Sequence, residues 1–127
     1  MIILSVDDDL EDRELFSEAV STIDKSIICI QLTDGVDALH YLDSDLELPD
    51  IIFLDINMPK MDGITCLEII RSNPKFDSTR IIMFSTSRGG HDLQKVQILG
   101  SEFITKPNSF SDLLVSLRNI IEQRRVA

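Results

Sequence analysis

A three-layer α/β fold, with a parallel five-stranded sheet between two layers of helices, is predicted by two features of this 127-residue chain. Five short apolar runs recur, and the stretches between them carry apolar residues at three- and four-residue intervals. Runs that are apolar throughout suit parallel strands covered on both faces, and the three- and four-residue spacing suits helices with one buried stripe. Strand and helix thus alternate five times, and right-handed crossovers place helices on both faces of one sheet. The predicted arrangement is the flavodoxin-like (βα)5 sandwich with strand order 2-1-3-4-5.

The first strand is Ile2 to Val6, and the helix after it contains Leu15, Phe16, Ala19, Val20 and Ile23 on one stripe. Ile27 to Leu32 is the second strand, with a helix over Gly35 to Leu42. Ile51 to Leu54 is the third, followed by the Pro59 and Asp62-Gly63 turn and a helix over Gly63 to Arg71. Asn73-Pro74 punctuates the approach to the fourth strand, Ile81 to Phe84, and a helix spans Gly90 to Leu99. The weakest run, Phe103 to Ile104, is the fifth strand. In the last helix Phe110, Leu113, Leu114, Leu117, Ile120 and Ile121 form a continuous apolar stripe.

The length and a hydrophobic content of 43% suit one domain over residues 1–127, with no separate output module. Twelve Lys and Arg against twenty-two Asp and Glu leave a formal charge of −10, which repels nucleic acid and anionic membrane surfaces alike. The apolar start runs straight into Asp7-Asp8-Asp9 and no run approaches the roughly 20 residues of a membrane span, so a cytoplasmic protein is expected. Cys29 and Cys66 lie in apolar stretches without ligand spacing and read as buried thiols.

In this topology ligands bind beyond the carboxyl ends of the strands, where strand order reverses between the first and third. The residues there are Asp7-Asp8-Asp9 after the first strand, Asp55 after the third, Ser85-Thr86 after the fourth and Lys106-Pro107 after the fifth. Carboxylates gathered at one edge repel unless they are protonated or share a cation. Mg2+ resolves the conflict, since it takes oxygen ligands, keeps several waters and uses one or two carboxylates beside a phosphate oxygen; Asp8 and Asp55 are the expected direct ligands. Singly, each residue has an ordinary explanation. Asp9 suits a helix N-cap, Asp55 a turn, Ser85 a cap and Lys106 an exposed cation; only their convergence points to a site. His40 and His91 share no ligand spacing and are read as structural, while Gly89-Gly90 gives freedom to the loop after the fourth strand or simply makes a turn.

These same residues resemble the response-regulator receiver domain over almost the whole chain, from Ile2 to about Glu122. The likeness rests on Leu4-Ser5-Val6-Asp7-Asp8-Asp9, on Ile51 to Gly63 with Asp55, Asn57, Met58-Pro59 and Asp62-Gly63, on Met83-Phe84-Ser85, and on Phe103-Ile104-Thr105-Lys106-Pro107. The resemblance implies Asp55 as phosphoacceptor, Asp7 and Asp8 as the acidic pair for Mg2+, and Asn57 as a metal ligand through its backbone carbonyl. Ser85 would be the switch hydroxyl, Phe103 the switch aromatic and Lys106 the phosphoryl-binding cation, aimed by a cis peptide before Pro107. Such a chain takes its phosphoryl group from a sensor histidine kinase or phosphotransfer protein and offers a changed surface to a downstream protein. It is not a turnover enzyme, and it pairs, if at all, as a homodimer through the fourth helix, fifth strand and fifth helix. Phe84 to Arg88 and Ile104 to Phe110 further resemble single-domain receivers associated with bacterial phytochrome kinases. Thr86 stands where the family usually has Ala or Gly and Ser85 where Thr is commoner, so bulk at Thr86 narrows access to Asp55.

Two other readings compete. A haloacid-dehalogenase-type phosphohydrolase repeats the order Asp7-x-Asp9, Ser85, Lys106, but no acidic pair follows Lys106 and Asp55 would be idle. A pseudo-receiver that keeps the fold without the chemistry conflicts with the presence of Asp7, Asp8, Asp55, Ser85 and Lys106 together.

Overall fold

The computed structural model describes residues 1–44, 47–85 and 90–126, without the side chains of Ser85, His91, Asp92, Arg125 and Val126. Strand and helix alternate as β1 (Ile2–Val6), α1 (Leu10–Ile23), β2 (Ile28–Leu32), α2 (Gly35–Leu42), β3 (Ile51–Asp55), α3 (Gly63–Arg71), β4 (Arg80–Ser85), α4 (Gly90–Ile98), β5 (Glu102–Thr105) and α5 (Phe110–Val126). The five strands are parallel and ordered β2-β1-β3-β4-β5, as the alternation predicts.

Side chains alternate across a strand, so the unbroken apolar run of β3 feeds two cores. Ile51 and Phe53 join Phe16, Ala19 and Val20 of α1 with Leu117, Ile120 and Ile121 of α5. Ile52 and Leu54 join Ala38 of α2, Leu67 and Ile70 of α3, and Val96 of α4. In the first core the Phe16 and Phe53 rings meet edge to face at 5.0 Å, and Phe53 and Phe84 lie 5.2 Å apart. Each buried ring contributes about 2–3 kcal/mol of apolar burial.

The edges of the sheet are less covered than runs of apolar residues imply. β1 and β3 are buried throughout, whereas Ile28 of β2 is 57% exposed and no residue of β5 is fully buried. An edge strand has one neighbour, and the helical layers sit over the central strands. Leu15, placed on the buried stripe by spacing, is 42% exposed. A further departure is the 3-10 turn Pro74–Phe76, where the sequence shows only a break: Asn73 caps it and Pro74 opens it, bringing Phe76 into the core at 3% exposure.

Helix starts at the carboxyl edge are fixed by acidic caps. Asp9, Asp34 and Asp62 each accept from the backbone N–H three residues on, at 3.0, 2.8 and 2.8 Å. α4 ends in a Schellman turn: Gly100, at φ +70°, donates to Gln97 and Ser101 donates to Val96, each at 3.0 Å. Arg71 crosses to that turn, donating to the carbonyl oxygens of Leu99 and Gly100 at 2.9 and 3.2 Å, and also holds the Pro74–Phe76 turn through the Phe76 carbonyl at 2.6 Å. Among the described residues no helix is long and apolar enough to cross a membrane.

Candidate functional site

β1 and β3 are neighbours in register, with Val6 opposite Leu54, so the residues that follow, Asp7 and Asp55, emerge side by side. Asp8 joins them, and the three carboxylates each offer an oxygen within 4.8 Å of the others. Asp7 and Asp55 are buried, at 7% and 9% exposure, and Asp8 is exposed. Asp7 is held by its neighbours: its N–H donates to Leu32 at 3.1 Å, its Oδ1 accepts from the Asp9 N–H at 2.9 Å, and its carbonyl accepts from Arg13 at 2.8 Å. An oxygen cluster open to solvent through Asp8 is the donor set a hard divalent cation takes, so the residues fit Mg2+.

Lys106 arrives from the end of β5, 99 residues away in sequence from Asp7. Its Nζ lies 2.6 Å from Asp7 Oδ2, 2.7 Å from Asp12 Oδ2 and 3.6 Å from Asp55 Oδ2. The expected cis peptide before Pro107 is absent: none occurs among the described residues, and the ammonium is aimed by the carboxylates it meets. Asp12 is the residue that sequence reading missed. The available signal was its place one turn after Asp8, in the first turn of a helix that starts at this same edge.

Electrostatics set the two groups apart. The Asp55 carboxyl is pushed up to about 6, first by burial; Lys106 works against that, Asp7 and Asp8 add repulsion, and the Asn57 N–H, 3.3 Å from Asp55 Oδ1, relieves a little. Lys106 titrates above the usual lysine range. Burial opposes its charge, but hydrogen bonds to Asp12 and Asp7 and the charges of Asp55 and Asp7 outweigh it. A cavity of about 150 Å³ lies beside the pair, with Phe16, Phe53, Phe84 and Leu113 among the residues that line it.

The other expected residues fall around this centre. Asn57 stands two positions past Asp55 with its backbone turned to that carboxylate, and its side chain is exposed. Ser85 ends β4 opposite Thr105 of β5, and Asp55 pairs with Phe84 in the same ladder; the Ser85 side chain, Thr86 and Gly89 lie outside the described residues. Phe103 is half-buried against the α2–α4 core, opposite Met83. His40 is exposed on α2, apart from the site, and the His91 side chain is outside the described set. Cys66 is buried and Cys29 half-buried, and burial pushes their thiols up to about 12 and about 11, as inert thiols.

Comparison with known proteins is consistent with this geometry. The sequence model of the response regulator receiver domain matches residues 3–118. Protein PilG of Pseudomonas aeruginosa is 37% identical over 112 residues, covering 86% of this chain and 82% of that protein. Response regulator Rcp1 of Synechocystis is 30% identical over 127 residues, covering 94% and 85%. Among solved structures, the phosphorylated cyanobacterial phytochrome response regulator RcpA superposes with a TM-score of 0.88 at 30% identity, covering 95% of this chain and 91% of that one. The Mn2+-bound form of Rcp1 gives 0.84 at 29% identity, covering 94% and 90%.

Proposed function

This chain belongs to the response regulator receiver family of two-component signalling, and from that premise we propose that Asp55 accepts a phosphoryl group from a sensor histidine kinase or phosphotransfer protein. The observation that carries the reading is the meeting of Asp7, Asp8 and Asp55 within 4.8 Å beside the ammonium of Lys106. Asp7, Asp8 and Asp55, with the Asn57 carbonyl, would hold Mg2+, which when bound favours the ionised carboxylate and neutralises charge on the transferring phosphoryl oxygens. The Mn2+-bound form of Rcp1 supports a divalent cation in a relative of this chain.

An Asp55 oxygen attacks phosphorus in line with the donor nitrogen, so an O–P bond forms as the P–N bond of the phosphohistidine breaks and its electron pair returns to the imidazole. The product is an acyl phosphate and a free histidine. Lys106, 3.6 Å from Asp55, neutralises the added negative charge. The Ser85 hydroxyl donates to the phosphoryl group and draws β4 inward, and Phe103 takes up the vacated space, altering the surface of α4, β5 and α5 for a downstream protein or a second copy of the chain. Ile98 of α4 and Val115 of α5 are exposed, at 83% and 60%.

Treatment with acetyl phosphate and Mg2+, read by intact mass, tests the reading: one added phosphoryl group is expected, lost in Asp55→Asn and in the presence of chelator. Equal labelling of that variant would remove Asp55 from the role, and sustained hydrolysis of phosphate monoesters would replace the switch by a phosphohydrolase.

A further inference from the structure

We propose that Asp12 is a positioning residue that holds Lys106 on the α1 side at rest, so that a phosphoryl group on Asp55 must draw the ammonium away from it; the inference deepens the reading of Asp55 as phosphoacceptor and rests on it. Lys106 lies 2.7 Å from Asp12 and 3.6 Å from Asp55, so its closer partner is on the helix rather than on the acceptor. Asp12 is the third residue of α1, capped by Asp9. An acidic side chain there commonly turns back to the N–H of the cap residue. Here that N–H is already taken by Asp7 Oδ1 at 2.9 Å, and Asp12 reaches across to Lys106, just past β5, instead.

The side chain of Asp12 is 38% exposed, against 10% for Asp7, which also holds Lys106 at 2.6 Å. Asp7 is fixed in the carboxylate cluster by its contacts with Asp9 and Arg13, so its pull on Lys106 is common to both states. Asp12 can return to water when Lys106 leaves, and it is the contact that competes with the phosphoryl group. Its effect is a differential one: it stabilises the resting arrangement alone and shifts the population away from the switched one.

Beryllofluoride with Mg2+, titrated into the intact protein and followed by amide spectra, tests this. Asp12→Asn keeps the shape and the helix start but removes the charge, and it is expected to bind roughly two- to fivefold more tightly than wild type, the range of a partly exposed ion pair. Glu11→Gln removes an equal charge from an exposed position in the same turn and is expected to change binding by less than about twofold. Binding by wild type with no tightening in Asp12→Asn overturns the positioning role, as does equal tightening in Glu11→Gln. Absence of any wild-type response overturns the phosphoacceptor reading, and this inference with it.

Discussion

The start of α3 presses on the end of β3: a β-carbon on Gly63 would stand 2.3 Å from the carbonyl oxygen of Asp55 and 2.8 Å from the Cα of Ile56. The Gly63 N–H donates to Ile56 at 2.8 Å across the same gap. Alanine normally improves a helix position over glycine by about 1 kcal/mol. Here both opposing atoms are backbone and cannot swing aside, so overpacking prevails. Gly63→Ala is expected to lose about 1–3 kcal/mol in urea unfolding at unchanged m-value; a gain in stability would show that the helix start is free to move.

The carboxyl of Asp55 should make stability depend on pH. Its folded-state pKa of about 6 lies above the unfolded 3.8, so the folded chain binds that proton more tightly. The favourable contribution is complete below about pH 4 and is lost as pH rises through about 6. Without divalent cation, Asp55→Asn is therefore expected to exceed wild type at neutral pH by ~2–3 kcal/mol and to converge with it near pH 4. Denaturation midpoints across that range check this, and a difference independent of pH would contradict it.

Metal binding should offset part of that loss. At about ten times its dissociation constant Mg2+ adds about 1.4 kcal/mol, or roughly 4–7 °C in melting temperature at this chain length. Asp8 is exposed and Asp7 buried, so Asp8→Asn is expected to keep the fold while abolishing the Mg2+ shift. A variant that melts with an undiminished shift would place the cation elsewhere.

Lys106 lowers the Asp55 carboxyl that burial raises. Lys106→Ala should push the Asp55 titration above about 6, followed by carbon NMR of labelled aspartate, and should leave the amide spectrum unresponsive to beryllofluoride. An unmoved Asp55 titration would mean that Lys106 is screened from it.

Arg71 ties α3 to the end of α4 through the carbonyls of Leu99 and Gly100 and, at 3.5 Å, the Ser101 hydroxyl. Its removal strands those acceptors, and Arg71→Ala is expected to lose about 2–4 kcal/mol, with faster amide exchange around Leu99 to Ser101. Arg71→Lys should recover less than half, since one ammonium cannot replace a planar fork. Full recovery by lysine would reduce the role to charge alone.

Alternation of apolar runs with helical stripes determined the sandwich and its strand order, because period and crossover handedness leave few topologies. It also placed Asp7, Asp8, Asp55, Ser85 and Lys106 at one edge of the sheet, since every parallel strand ends there. The turn at Pro74–Phe76 escaped because three residues carry no period. The exposure of Ile28 escaped because an apolar run does not show how far the helical layers reach over the edge strand that the predicted order makes of β2. Asp12 could not be found by strand ends at all: it sits on a helix, and its meeting with Lys106 depends on how the first turn of α1 faces the end of β5. Only the tertiary structure decides which carboxylate an ammonium reaches, because that choice rests on distances of a few ångström between segments nearly a hundred residues apart.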